Sequence, residues 1–323
     1  MDNLTHSLVG AVLGQVGLKK KTGLGMATLI IGANLPDIDA IASVLGVGSL
    51  SLRRGLTHGP IALFLLPILL TWAMIAFDNW QAKRGTRPAD RLPIHKGWLL
   101  ALAYIGTISH PLFDLLNNYG VRLLEPFSSQ WFYGDSIFII DIWMWAAMIG
   151  GIWLSRKWEK RGKTNWRNPA FATFLAIGFY VAANGLITNH AEAKTTVAVT
   201  EKFGVKPDLV IANPRPVVFW QREMIWRGKG KIGKGWYNGL NFGGSLKLNV
   251  SASPNNMTDP AIRTAQKSSG DMASFLFWSR IPFAKVEKNA SGKYVTMRDA
   301  RFMEWPVADR FLVRTKLKAP EPK

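Results

Sequence analysis

PIALFLLPILLTWAMIAFD, residues 60–78, holds no charge before its last residue, Asp78. That run is close to the ~20 apolar residues a helix needs to cross hydrocarbon. Comparable runs occupy about 7–18, 22–47, 98–116, 136–154 and 170–188. The first is too short to span comfortably, but Gly10, Gly14 and Gly17 would let it pack closely on the next. From residue 190 the pattern changes to short stretches at 195–200, 216–222, 224–227, 246–250, 274–278 and 294–297 that read as strands between Gly, Pro and Asn turns. The expected fold is an all-α polytopic membrane domain of about five to six helices over residues 1–189. A small, basic, β-rich domain follows over 190–323.

Charge supports the division. The net charge is +19, and residues 190–323 carry 23 Lys and Arg against 11 Asp and Glu, leaving +7 for residues 1–189. The Lys and Arg residues of 19–21, 79–97 and 155–168 alternate with less basic connections, so by the positive-inside rule they face the cytoplasm. The connections 48–59 and 117–135 then lie outside, with the N-terminus and the β-rich domain, in a bacterial-type inner membrane. Arg53 and Arg54 run against this pattern. A basic surplus suits anionic lipid headgroups, whereas a nucleic-acid site would need a compact recognition motif that is not present. The stretch 227–235 has the composition of a phosphate loop but not its spacing, and reads as a basic hairpin tip.

The chain has no cysteine, so any metal must be held by His, Asp, Glu or Asn. On the expected topology His6, Asp37, Asp39, His58, His110 and Asp114 fall at one membrane face. Buried ionisable groups are expensive in a bilayer, and a divalent cation offsets the desolvation of such a set. His110 and Asp114 are four apart, and Asn117 three beyond, which places all three on one face of a continuing helix. In Asn34-Leu35-Pro36-Asp37-Ile38-Asp39 the proline favours an extended or turned chain whose two carboxylates can bind one ion or bridge two. The bland alternatives are helix caps for Asp37, Asp39 and His6, a loop pair for Thr57-His58, and a hydrogen-bonded core histidine for His110. Arg54, Asn117, Tyr119 and Asp135 are candidate substrate or supporting contacts. Asp141 is a candidate to orient a ligand histidine or to pair with a basic group.

Thr5-His6-Ser7-Leu8, Leu35-Pro36-Asp37-Ile38-Asp39, Arg54-Gly55-Leu56-Thr57-His58 and Ser109-His110-Pro111-Leu112-Phe113-Asp114 together resemble the YdjM-like predicted membrane-bound metal-dependent hydrolases. The resemblance covers about residues 1–190. Segments 275–283 and 299–302 look like those of longer members. The order His, Asp, His, His-x-x-x-Asp is also similar to that of zinc-dependent phospholipase C and its nuclease relatives. That likeness implies His6, Asp37 or Asp39, His58, His110 and Asp114 as ligands of one to three ions. Those enzymes use further histidines, and the two left in this chain are His95, on the basic-loop side, and His190.

The leading expectation is a metal-dependent hydrolase of the outer leaflet, with Zn²⁺, or Mn²⁺ or Fe²⁺, activating water against a phosphoester or phospholipid-like bond. Asp37 or Asp39 would act as base. The alternatives are a transporter or a metal-binding scaffold, and a polyanion-binding module. The nearly unbroken apolar character of the inner halves of 60–78 and 98–116 argues against an ion path through the membrane.

Overall fold

The structure is a computed structural model and describes residues 1–241, 243–289, 292–303 and 311–317. It divides into two compact units. The first comprises Met1–Asp39, Arg54–Leu186 and Arg215–Phe219; the second comprises Ala40–Arg53, Ile187–Pro214 and Trp220–Lys323.

The helices are α1 (Asn3–Gln15), α2 (Gly25–Asn34), α3 (Ser49–Leu52), α4 (Pro60–Lys83), α5 (Lys96–Leu115), α6 (Ile142–Lys160) and α7 (Asn168–Phe203), with a 3-10 run Leu35–Gly48 after α2. Among the described residues, four segments are long and apolar enough to cross a membrane: Gly25–Leu52, Pro60–Lys83, Lys96–Leu115 and Asn168–Phe203. In the first unit α2 lies between α1 and α5, and small residues set the approach. A Cβ on Gly10 would stand 2.7 Å from the Leu29 carbonyl oxygen, and one on Gly106 would stand 2.8 Å from the same oxygen. Both are closer than a side chain tolerates, so glycine is what lets the three backbones meet. Val9, Val12, Met144, Met148 and Ile177 form one core, and Leu70, Met74, Leu99 and Ala103 another.

One end of this unit is ringed by tryptophan and cation pairs. Lys21 stands 4.8 Å from the Trp98 ring centre, Arg84 4.6 Å from Trp80, Lys157 4.6 Å from Trp153 and Lys163 4.7 Å from Trp158. Such pairs suit a membrane–water boundary, where the ring is half in hydrocarbon and the cation stays wet.

The second unit is β-rich, and its described strands pair antiparallel. Strands β1 (Leu209–Pro214), β2 (Gln221–Gly228), β3 (Lys231–Asn238) and β4 (Ser245–Leu248) form a sheet in that order, with β5 (Ser253–Pro254) pairing β3. After α8 (Pro260–Ser268) and α9 (Gly270–Trp278), strands β6 (Pro282–Asn289), β7 (Gly292–Asp299) and β8 (Leu312–Lys316) form a second sheet. The basic stretch 227–235 is the β2–β3 hairpin, turning on Lys229 and Gly230 at φ 47° and 73°. Two positive φ values match the right-handed strand twist.

Three expected strands differ. Residues 195–200 belong to α7, where Thr196 and Thr200 satisfy their hydroxyls on carbonyls four residues back, at 2.8 Å each. Residues 274–278 belong to α9, whose buried Met272, Phe275 and Trp278 recur every third residue, a helical period. In 216–222 only Gln221 and Arg222 are strand, because Pro216 and the positive φ of Val217 (68°) interrupt the ladder.

Candidate metal centre

The end of the first unit opposite the tryptophan ring gathers side chains from four stretches. His6 stands in the first turns of α1, where Asp2 caps the helix through the amides of Leu4 and Thr5. Asp37 and Asp39 follow α2 on the 3-10 run, so of the extended or turned chain expected at Pro36 the structure has the turned one. Proline fits because it sits in the first turn, where its missing N–H has no partner to lose. Three residues per turn aim carboxylates two apart in different directions. His58 ends a single 3-10 turn directly before α4, and His110 and Asp114 lie one turn apart on α5.

Hydrogen bonding fixes both ring orientations. His110 Nδ1 is 2.7 Å from the Ala33 carbonyl oxygen. A carbonyl only accepts, so Nδ1 carries the proton, and Nε2 of the neutral ring keeps a lone pair. Thr57 Oγ1 donates to Asp39 Oδ2 at 2.9 Å and lies 3.0 Å from His58 Nδ1. With the hydroxyl proton committed to the carboxylate, His58 Nδ1 must donate, and its Nε2 is bare as well. The two Nε2 atoms are 3.1 Å apart. Asp114 Oδ2 is 3.3 Å from His58 Nε2 and 3.5 Å from His110 Nε2, and Asp37 Oδ1 is 3.7 Å from His110 Nε2.

Lone pairs converging in this way repel unless a cation lies among them. One donor atom each from Asp37, His58, His110 and Asp114 falls within 4.8 Å of the others, and all four residues are buried. Two nitrogens on a tetrahedral zinc stand about 3.3 Å apart when each is ~2.0–2.1 Å from the metal. The donor set fits a divalent ion.

Asp39 has a different place. Its Oδ2 accepts from the Arg54 amide at 2.7 Å and from Thr57, and lies 3.5 Å from His58 Nδ1. It stands behind His58, in the position from which a carboxylate orients a ligand histidine. His6 stacks on His110, ring centres 3.7 Å apart at 17°, and its Nε2 is 3.3 Å from Asp114 Oδ1. Asp114 therefore faces the four-donor cluster with one oxygen and His6 with the other. The Met1 amine also pairs with Asp114.

Arg54 is 4 % exposed, with Nε 3.1 Å from Asp114 Oδ2, Nη1 3.1 Å from Asn117 Oδ1 and its guanidinium 4.7 Å above the Tyr119 ring. The cation that ran against the charge pattern is thus part of the cluster's wall. Asn117 lies past the end of α5 and not on its face, and its Oδ1 also accepts from the Tyr119 amide at 2.8 Å. Asp135 is buried at φ 48°, next to Ser136, whose amide bonds the Leu116 carbonyl. Asp141 caps α6 through the amides of Trp143 and Met144 and accepts from Tyr180 Oη at 2.8 Å, which is a structural role. Sequence reasoning passed over Arg122, which is 5 % exposed, donates its amide to the Arg54 carbonyl and reaches Glu125 at 3.1 Å. Its signal was an arginine among the aromatics of a connection otherwise poor in charge.

Comparison with curated proteins and with solved structures finds no match. A family model described as YdjM inner membrane protein matches residues 1–191, the stretch that contains every residue of the cluster. The chain is a membrane protein of the YdjM inner membrane protein family.

Proposed function

We propose that the chain is a metal-dependent hydrolase acting on a phosphoester or phospholipid-like substrate at the outer leaflet of the inner membrane. The observation that carries this reading is the pair of Nε2 atoms 3.1 Å apart, faced by Asp37 and Asp114. A bound divalent ion supplies an activated water and charge stabilisation for a developing oxyanion. The Ala33 carbonyl and Asp39 hold the two histidines in the tautomers that leave Nε2 available. Asp37, with Asp39 turned to His58, is the carboxylate left to accept a proton from water. Arg54, next to Asp114, is placed to neutralise an anionic group brought to the cluster. Zn²⁺ suits this mixture of imidazole and carboxylate best.

In the accompanying topology the helices pass repeatedly through the membrane, the tryptophan and cation ring faces the cytoplasm, and the β-rich unit is extracytoplasmic. Reporter fusions at Lys20, Arg87, Lys160 and the C-terminus test it, and a cytoplasmic C-terminus would overturn it.

A second reading is a structural ion in a non-catalytic scaffold. The specific observation in its favour is the complete burial of His58, His110 and Asp114, since structural sites are closed and catalytic sites keep a position open. One experiment separates the two. Purified protein is assayed for bound metal, for hydrolysis of a phosphodiester and a phospholipid panel, and for thermal stability with and without chelator. Metal-dependent turnover lost in a folded, metal-loaded Asp37→Asn variant supports the enzyme. Bound metal with no turnover on phosphoester, acyl ester and amide panels supports the scaffold.

A further inference from the structure

A sizeable cavity of the first unit lies away from the metal centre, along α1 and α6 toward the tryptophan ring. It is an open groove of about 700 Å³ whose apolar wall is Leu8, Ile149, Ile152 and Trp153. Ile149 and Trp153 are 51 % and 60 % exposed, so the wall opens to the surroundings there, while Leu8 and Ile152 pack back against the core. Toward the end of α6 the lining changes to Arg156, Lys157, Lys160 and Arg161. From residue 149 to residue 161 a helix rises about 18 Å, comparable to the depth of one bilayer leaflet. The acidic neighbour does not neutralise these cations, because Glu159 pairs with Lys19 and, at 3.2 Å, with Lys20. Those partners outweigh its partial burial and hold the Glu159 carboxyl below its ordinary pKa, so it stays ionised and engaged.

We propose that this groove binds one anionic glycerophospholipid of the surrounding leaflet, with an acyl chain along the apolar wall and the phosphate among the four cations. The occupant follows from the order of the lining: hydrocarbon at depth and positive charge at the boundary, with Lys157 stacked on Trp153 where the two meet. A soluble anion would need the cations but has no use for the apolar wall. A docked helix would not need four unneutralised cations at one end. The site is independent of any chemistry at the metal centre.

The test is native mass spectrometry of the full chain in detergent, titrated with phosphatidylglycerol or with phosphatidylcholine of the same acyl chains. Wild type is expected to retain one phosphatidylglycerol in preference to phosphatidylcholine, undisturbed by excess glycerol phosphate. Each cation near an anionic surface is worth about fivefold, so Arg156→Gln/Lys160→Gln/Arg161→Gln should lower occupancy at least ~10-fold. Ile149→Trp, which fills the groove and leaves the charges, should lower it too, and tests the site even if the triple variant misfolds. Lys83→Gln/Arg84→Gln/Lys96→Gln removes equal charge from the same end and should leave occupancy unchanged. Equal retention of both lipids, displacement by glycerol phosphate, an equal loss in the Lys83/Arg84/Lys96 variant, or unchanged occupancy in Ile149→Trp would each overturn the proposal.

Discussion

Two buried polar clusters, one in each unit, look alike in sequence and differ in how their protons and lone pairs balance. In the β-rich unit Asp299 Oδ1 accepts from the Arg301 amide and Nε, both at 2.9 Å. Its Oδ2 accepts from Arg301 Nη2 at 3.0 Å, Ser279 Oγ at 2.6 Å and the Arg280 amide at 2.9 Å. Every acceptor position faces a donor, and the Arg301 guanidinium is also covered by the Trp278 and Phe302 rings, 5.0 Å from each. In the helical unit Asp114 Oδ2 has the Arg54 Nε at 3.1 Å, but the Nε2 atoms of His58 and His110 face it and each other with lone pairs. Burial of charge is common to both. What marks a ligand site is a surplus of acceptors, and only the helical cluster has one.

The largest expected effect tests the closed cluster. Asp299→Ala leaves Arg301 buried without its carboxylate and should cost about 3–5 kcal/mol, read by denaturant unfolding of the full chain with β-unit tryptophan fluorescence. A loss under 1 kcal/mol would mean the pair is not self-sufficient. The same cluster gives a pH dependence. Burial raises the Asp299 pKa, but Arg301, Ser279 and the Arg301 amide more than offset it, so the folded value lies below the ordinary one. The resulting stability is fully present above the unfolded carboxylate pKa of about 3.9 and is lost as pH falls through the depressed folded value. Asp299→Asn should therefore flatten the acid limb of the stability profile, and an unchanged limb would contradict the assignment.

The open cluster should respond through the ion it is proposed to hold. If four ligands share the ~10–16 kcal/mol typical of tight zinc binding, His110→Ala or His58→Ala should cost roughly 3 kcal/mol of metal affinity. Elemental analysis after dialysis against a graded chelator series measures it, and full metal content in both folded variants would remove the distinction between the clusters. Asp39→Asn, which alters the group behind His58 and not a donor, should cost less, about 10–100-fold in affinity. A loss as deep as that of His110→Ala would make Asp39 a ligand. The smallest effect belongs to neither cluster. Lys229→Asn eases the positive φ of the β2–β3 turn and should add about 0.5 kcal/mol by the same unfolding measurement, with metal content unchanged.

Much of this was legible in the residue string. The apolar runs gave the helices, four of the six His and Asp positions make the four-donor cluster while His6 and Asp39 stand beside it, and the His110–Asp114 spacing gave a local pair within it. The division of labour between Asp37 and Asp39 was not legible, because it depends on a 3-10 run that turns one toward His110 and the other toward Thr57. The burial of Arg54 was not legible either, since its cost is met by Asp114 and Asn117, contacts between distant stretches. Asp141 looked like a site residue because a cap at a helix start and an intramembrane carboxylate share one sequence signature. The β-branched residues of 195–200 misled in the other direction, since pattern alone does not show a hydroxyl satisfied within its own helix.

The bond from His110 Nδ1 to the Ala33 carbonyl joins residues 77 apart in the chain. A ribosome adding 5–20 residues per second needs roughly 4–15 s to make that interval. Through those seconds Asp37 has left the ribosome while His58, His110 and Asp114 have not all followed. The nascent chain therefore carries incomplete pieces of the cluster at the membrane before His58, His110 and Asp114 can close on Asp37. Depleting metal during synthesis should reduce the amount of protein that accumulates more than depleting it afterward.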